Sequence, residues 1–551
     1  LNSNTTHHTS PLPFWQVCIA LATLTALTWF AYRGIELNSF HFDDWPNILN
    51  NRAVQITQIS MEGLLGAARG AYLSLRPVAS VSFAIDWWRS GGTPATFLAT
   101  NLALHVLTGW ALFSLLLSVL RVAALAQPRP ALIVAAGAAT LWWALQPIHV
   151  QAVSYAVQRM TELAALFSVL CVWTYLQARK AERGAILWSG ASLLSLALAA
   201  LSKENAWITP ALILMAEFLV LRNAAPLVRS FVDRALLALP VIALGLALTD
   251  VVVGGPLSQW ALRGYEGRDF TLVERLLTQP KVVAFHVSQI LWPMPGRFSL
   301  EHDIAIVHSL ASAEFWLPLV AILAWSLCGL WLAAHRGTRI VGFFTLWVPV
   351  TLSIESSFVP LEMVFEHRMY LPSVGFAGLI ALGLVHSARR PRTRAIPAWA
   401  LLAGAILLSL WATTQRVPQW RTEATLYEQA VRLAPHSARA WNHLGIATLN
   451  QRENEHLPQD RYDRALVAFA RAIELDPASA SPWTNRGVAR YLRGDRQSAQ
   501  NDLEKAIALE PDEAVAHHYL ARIYGDQGRH AEARAVRHRA CWLGVASDCY
   551  R

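Results

Sequence analysis

Charge is what this chain has least of. Only 15% of its 551 residues are Asp, Glu, Lys or Arg, against about 25% in ordinary soluble domains. The shortage is confined to residues 13–414. Apolar runs of roughly 17–24 residues follow one another there, long enough to cross a membrane as helices. A soluble enzyme over most of the length is thereby excluded. Cysteine is also scarce, with five residues. Cys18, Cys171 and Cys328 lie inside apolar runs, where a small apolar residue is unremarkable. Cys541 and Cys549 read either as a disulfide in an oxidising compartment or as two free thiols. The opening LNSNTTHHTSPLPFW contains no Lys or Arg. It therefore lacks the basic start of a signal peptide. The run at 13–32 is expected to stay as a first membrane helix, with no orientation signal ahead of it.

Eleven membrane helices are predicted, at 13–32, 97–120, 131–146, 160–178, 185–201, 206–222, 235–253, 312–335, 338–354, 371–388 and 396–414. Basic residues collect in alternate loops: Arg121 and Arg129; Arg179, Lys180 and Arg183; Arg222, Arg229 and Arg234; Arg336 and Arg339; Arg389, Arg390, Arg392 and Arg394. By the positive-inside rule these loops face the cytoplasm. Topology thus accounts for the net charge of +9 without invoking nucleic acid. The N-terminus then lies inside and the C-terminal part outside. Residues 281–293 are apolar but short, and read as an interfacial or re-entrant helix. The long outer loop 33–96 contains ISMEGLLGAARGAYLSL, which fits a helix lying in the interface plane.

From residue 415 the chain turns polar and repetitive. Pro435, Pro477 and Pro511 are spaced by 42 and 34 residues, and Trp441, Trp483 and His517 repeat those spacings. A 34-residue period with small residues at packing positions is the tetratricopeptide pattern. The longer first interval fits an insertion near ENEHLPQD. Stacked helix pairs of this kind build a concave surface suited to peptides. The expected organisation is a polytopic all-α membrane part, 1–414, and a tetratricopeptide (TPR) superhelix, 415–551, outside the cytoplasm.

The polar clusters of the membrane part fall mainly on the predicted outer side, and ionisable groups gathered at one mouth of a bundle point to a functional site. In HFDDW, one of the adjacent carboxylates Asp43 and Asp44 could act as a general base. Its neighbour could hold a donor, a sugar hydroxyl or a metal, with Trp45 as a sugar platform. Solvated loop or helix-capping roles stay open for both carboxylates. Arg76, Arg159, Lys203 and Arg368 come from separate segments. As a set they are candidates to hold a lipid phosphate, although any one of them could anchor a helix end. His149 could contact the same phosphate, or be a loop residue satisfied by backbone. Glu204 and Tyr370 are further contact candidates. Glu366 could contact a ligand or pair with Arg368. Glu301, His302 and Asp303 have the composition of metal ligands, but adjacent residues seldom bind one ion. Donor or acceptor contacts are expected instead. No metal or cofactor is assigned, and dependence on a divalent ion stays open. Most of the 23 tryptophans read as interfacial anchors.

FDDWPNILNN, LRPVASVSFAIDWW, LQPIHVQAVSYAVQRMTELAALF, LSKENAWITP, FEHRMYLPSVGF and the repeats occur in this order. The series resembles the transmembrane-and-TPR protein O-mannosyltransferases and their bacterial relatives over nearly the whole chain. The resemblance implies a glycosyltransferase fold of the GT-C type in a bacterial inner membrane. The donor would be a polyprenyl-phosphate sugar, mannose-like, and the acceptor a Ser or Thr of a secreted polypeptide held by the repeats. It implies Asp43 as base, Asp44 as its partner, and Arg159, Lys203 and Arg368 at the donor phosphate. There are departures. The GRAD motif of eukaryotic members is Val157-Gln158-Arg159-Met160 here, so only the arginine carries over. Their AERxxYxPS is FEHRMYLPS, which keeps Glu366, Arg368, Tyr370 and Pro372. Transfer to a glycan or lipid, a TPR scaffold for secretion or pilus assembly, and a transporter are the competing readings. A transporter would want ionisable groups near mid-membrane.

Overall fold

A computed structural model describes residues 13–70, 76–123, 128–181, 183–221, 255, 259, 262–266, 268–450 and 459–549. Every regular element among them is helical. The expected helix at 235–253 and the loop arginines 222, 229 and 234 lie outside the described residues. The other ten expected spans are helices. Six helices are long and apolar enough to cross a membrane. They become seven if Arg129–Ala144 and Pro147–Ser154, bent by 51°, form one span. Ala185–Ala200, Arg339–Leu352 and Ser373–Ser387 are apolar but shorter. At 1.5 Å per residue such helices fall short of a ~30 Å hydrocarbon layer.

Two expectations need correction. The apolar stretch at 281–293 is the end of a 20-residue helix, Leu272–Leu291, opened by a Thr271–Glu274 capping box. The polar first turns of that helix had hidden its length. Arg179 and Lys180 are not loop charges but the last residues of Arg159–Lys180. Arg179 is buried, and its guanidinium grips Glu217 at 2.9 Å while Tyr175 donates to the same carboxylate. The amphipathic stretch of the first loop forms Met61–Arg69, capped by Ser60.

By contacts the chain separates into two units. The first, residues 1–298 and 305–418, is the apolar bundle. Close approach there depends on small residues: a Cβ on Gly378 would lie 2.1 Å from the Phe344 ring, and one on Gly342 would lie 2.5 Å from the Ala333 backbone. The second, residues 299–304 and 419–551, holds Glu423–Leu433 and then three helix pairs, Ala438–Asn450 with Gln459–Leu475, Ala480–Arg493 with Arg496–Leu509, and Ala514–Asp526 with His530–Trp542. The repeat spacing has a bonded cause. Trp441, Trp483 and His517 each donate a ring N–H to the carbonyl six residues earlier, on Pro435, Pro477 and Pro511, at 2.9–3.1 Å. Cys541 and Cys549 are joined by a disulfide, which resolves that choice.

Candidate functional site

The FDD loop follows the first helix. Asp44 is wholly buried, which its place in a loop did not suggest. One carboxylate oxygen accepts the His41 N–H at 2.9 Å and the other the Val157 N–H at 2.7 Å. Burial, with Asp43 beside it, pushes its carboxyl up to about 8 against the pull of those amides. It is therefore not available to hold a sugar or a metal, as its sequence context had implied. Asp43 is half-buried. Its N–H donates to the Tyr155 hydroxyl at 2.7 Å, and its carbonyl accepts from Asn47. Trp45 is 47% exposed, open to a ligand or to lipid.

Three of the expected phosphate ligands are paired with carboxylates. Arg159 has no exposed surface. Its guanidinium meets Asp86 at 2.6 Å, Asn101 at 2.8 Å and the carbonyls of Phe97 and Ser82, beside the rings of Phe83 and Phe97. Arg76 forms a two-pronged pair with Glu204, at 2.9 and 2.5 Å. Lys203 meets Glu355 at 2.8 Å and Thr161 at 3.0 Å. Asp86 and Glu355, which complete these pairs, escaped the sequence reading. A lone carboxylate within SFAIDWW was the available signal.

Arg368 belongs to a different arrangement. It donates to the carbonyls of Met363 and Glu362, while its buried Nε has no hydrogen-bond partner. The loop it grips is also held from Leu272–Leu291. Arg275 donates to the carbonyls of Glu355, Ser357, Leu361 and Glu362, and Gln279 to that of Met363. Arg268 meets Glu362 at 3.1 Å and the Pro360 carbonyl at 2.8 Å. Burial and the neighbouring arginines bring the Arg275 guanidinium down to about 9. Of the three arginines, Arg268 keeps a quarter of its side chain exposed. Arg268 and Arg275 were missed because they lie between the apolar runs, where the sequence offered no pattern to read.

Gln279 also lines an apolar groove of about 490 Å³ between Leu272–Leu291, Ala313–Ala334 and Arg339–Leu352. Each helix contributes one internal proline to its wall, Pro280, Pro318 and Pro349. A proline ring cannot donate to the carbonyl four residues earlier and disturbs the helix there. At Pro349 that carbonyl, on Thr345, accepts the Trp325 indole N–H at 2.8 Å instead.

The remaining candidates divide. Glu366 pairs with Arg416 at 3.4 Å rather than with Arg368. His367 bonds Gln151 through its backbone N–H at 2.8 Å and through its ring. His149 and Tyr370 are buried together. His149 bonds Ser373 at 2.9 Å, Tyr370 bonds His105 at 2.7 Å, and Trp143 donates to the same serine. Those partners make both parts of the helix packing. His302 and Asp303 belong with Glu301 to the second unit, where Glu301 meets Arg439 at 2.9 Å. Among the described residues no three His, Cys, Asp or Glu side chains gather as a metal site.

These features define a helical membrane protein with a tetratricopeptide array, and residues 453–524 match a family described as tetratricopeptide repeat. The chain is similar to proteins named protein O-mannosyl-transferase. It is 24% identical to TMTC4 of Homo sapiens over 485 residues, 79% of this chain and 64% of that protein. It is 23% identical to TMTC3 of Mus musculus, covering 80% of this chain and 50% of that one. The chain thus spans less than two thirds of these relatives. Among solved structures, the apo oligosaccharyltransferase of Archaeoglobus fulgidus aligns with 82% of this chain and 59% of that one, at 13% identity and a TM-score of 0.43. A MamA crystal structure aligns with 22% of this chain and 66% of that one, at 21% identity and a TM-score of 0.19.

Proposed function

We propose that the protein transfers a sugar from a polyprenyl-phosphate donor to a Ser or Thr hydroxyl of a polypeptide. The observation that carries this reading is one short stretch of chain. Tyr155 bonds the backbone of Asp43, and Gln151, one helical turn earlier, bonds His367 beside Arg368. The half-buried Asp43 and the residue before Arg368 are thereby both tied to residues 151–155.

In this reading the isoprenoid tail lies in the proline-walled groove. Its phosphate lies by Arg268, with the charge of Arg368 and Arg275 behind it. Arg159, Arg76 and Lys203 hold the scaffold. The acceptor hydroxyl attacks the anomeric carbon and gives its proton to Asp43. The bond from that carbon to the phosphate oxygen breaks, and its electron pair stays on the phosphate. A phosphate leaves without acid catalysis, and nearby guanidinium groups stabilise the charge it gains. A single displacement inverts the anomeric centre, by the geometric logic of inverting glycosidases. The disulfide supports an oxidising, extracytoplasmic setting for the repeats. Their stacked helix pairs suit an acceptor polypeptide.

The test is to incubate the purified protein with polyprenyl-phosphate mannose and secreted polypeptides, and to analyse both by mass spectrometry. A hexose on Ser or Thr, with loss of the donor, is expected. Transfer only to a glycan or lipid, or no donor turnover, would reject the reading.

A further inference from the structure

We propose that Asp44 is the positioning residue of this site: its carboxyl group locks the loop that presents Asp43 and touches neither donor nor acceptor. The proposal rests on the reading of Asp43 as base. Geometry supplies three observations. First, the two oxygens of Asp44 tie together separate stretches of backbone, His41 on one side and Val157 on the other. Second, Phe42 lies inside that tie with φ of +42°, and among the described residues it alone has a positive φ without being glycine. A bulky residue there is strained, and the conformation persists only where the surroundings over-determine it. Third, the Tyr155 hydroxyl receives the Asp43 N–H. Asp43 is thus fixed by contacts on both sides of a strained residue.

The anchor is itself immobile. Val157 lies two residues before Arg159, whose guanidinium is bound to Asp86, Asn101 and two carbonyls. The buried Arg159 pair has a use in this scheme: it holds the turn on which Asp44 closes. Position 44 needs a carboxyl group of aspartate length, with both oxygens accepting. An asparagine keeps one acceptor and turns an NH2 group against the second amide. A glutamate displaces both oxygens by a methylene.

The experiment compares Asp43→Asn, Asp44→Asn, Phe42→Gly and the double variant Phe42→Gly/Asp44→Asn. The full chain is used in lipid nanodiscs. Steady-state transfer is measured together with hydrogen exchange of peptides covering 41–45 and 155–158. Asp44→Asn is expected to lower kcat about thirtyfold, with KM for the donor unchanged within about twofold. It is also expected to speed exchange in both peptides about tenfold. Phe42→Gly should restore part of that turnover in the Asp44→Asn background, because glycine takes a positive φ without strain. Asp43→Asn should abolish transfer with exchange unaltered. Unchanged exchange in Asp44→Asn would overturn the clamp, and so would a raised donor KM without loss of kcat. Full transfer by Asp43→Asn with faster exchange in Asp44→Asn would remove the base and leave the clamp standing.

Discussion

Gln279 and Arg368 donate to one and the same carbonyl oxygen, that of Met363, at 3.1 and 2.9 Å. Gln279 faces the proline-walled groove, and Arg368 follows the histidine that Gln151 holds. A single backbone atom therefore joins the apolar groove to the charged loop. That junction suits a ligand with an apolar tail and an anionic head.

The groove prediction follows from volume. Ala284 lines the cavity, and Ala284→Phe would fill much of it. Donors with a long isoprenoid tail should lose affinity about tenfold or more, whereas short-chain analogues should lose little. Donor KM measured across a series of tail lengths reads this out. A uniform effect at every length would reject the groove as the tail site.

Arg268 is expected to act on the anionic head. Arg268→Ala should raise donor KM about tenfold, as for loss of one charge-assisted contact. The response to free acceptor peptide should be unchanged. Equal effects on donor and acceptor would show a merely structural arginine.

Arg159 should behave oppositely. Its pair with Asp86 is buried, and breaking such a pair costs about 3–5 kcal/mol. Arg159→Met is expected to lower thermal stability sharply. Donor affinity in the surviving folded fraction should stay near that of the parent. Loss of donor binding at full stability would return this arginine to the phosphate.

Asp44 gives a pH signature. Its folded carboxyl sits at about 8, above the ordinary 3.8, through burial and the neighbouring Asp43. The Arg159 cation and the amides of His41, Ala156 and Val157 oppose the shift. The folded state therefore holds a proton that the unfolded chain releases. The stability from this group is full at acid pH and is lost as pH rises through about 8. Thermal unfolding of the parent should thus fall across neutral pH, and Asp44→Asn should flatten that slope. An identical slope in both proteins would contradict the assignment.

Much of the helix pattern was legible because membrane helices announce themselves by unbroken apolar length. The repeats were legible through the Pro and Trp spacings, which their ring–carbonyl bonds now explain. The candidate site was read less completely. Local sequence could not distinguish Asp43, half-buried, from Asp44, enclosed on backbone amides from residues 41 and 157. Arg159, Arg76 and Lys203 looked like free cations because their partners Asp86, Glu204 and Glu355 lie 73, 128 and 152 residues away along the chain. Arg275 was invisible for the converse reason. Its partners are backbone carbonyls, which leave no trace in side-chain patterns.

In the proposed mechanism Asp43 takes the acceptor proton. The most direct measurement is single-turnover transfer from a radiolabelled polyprenyl-phosphate sugar, at matched donor occupancy, by the parent protein and by Asp43→Asn. General-base catalysis contributes about 10²–10⁴-fold, so the variant should bind donor normally and transfer at least about a hundredfold more slowly. Transfer by Asp43→Asn at the parent rate would contradict the account.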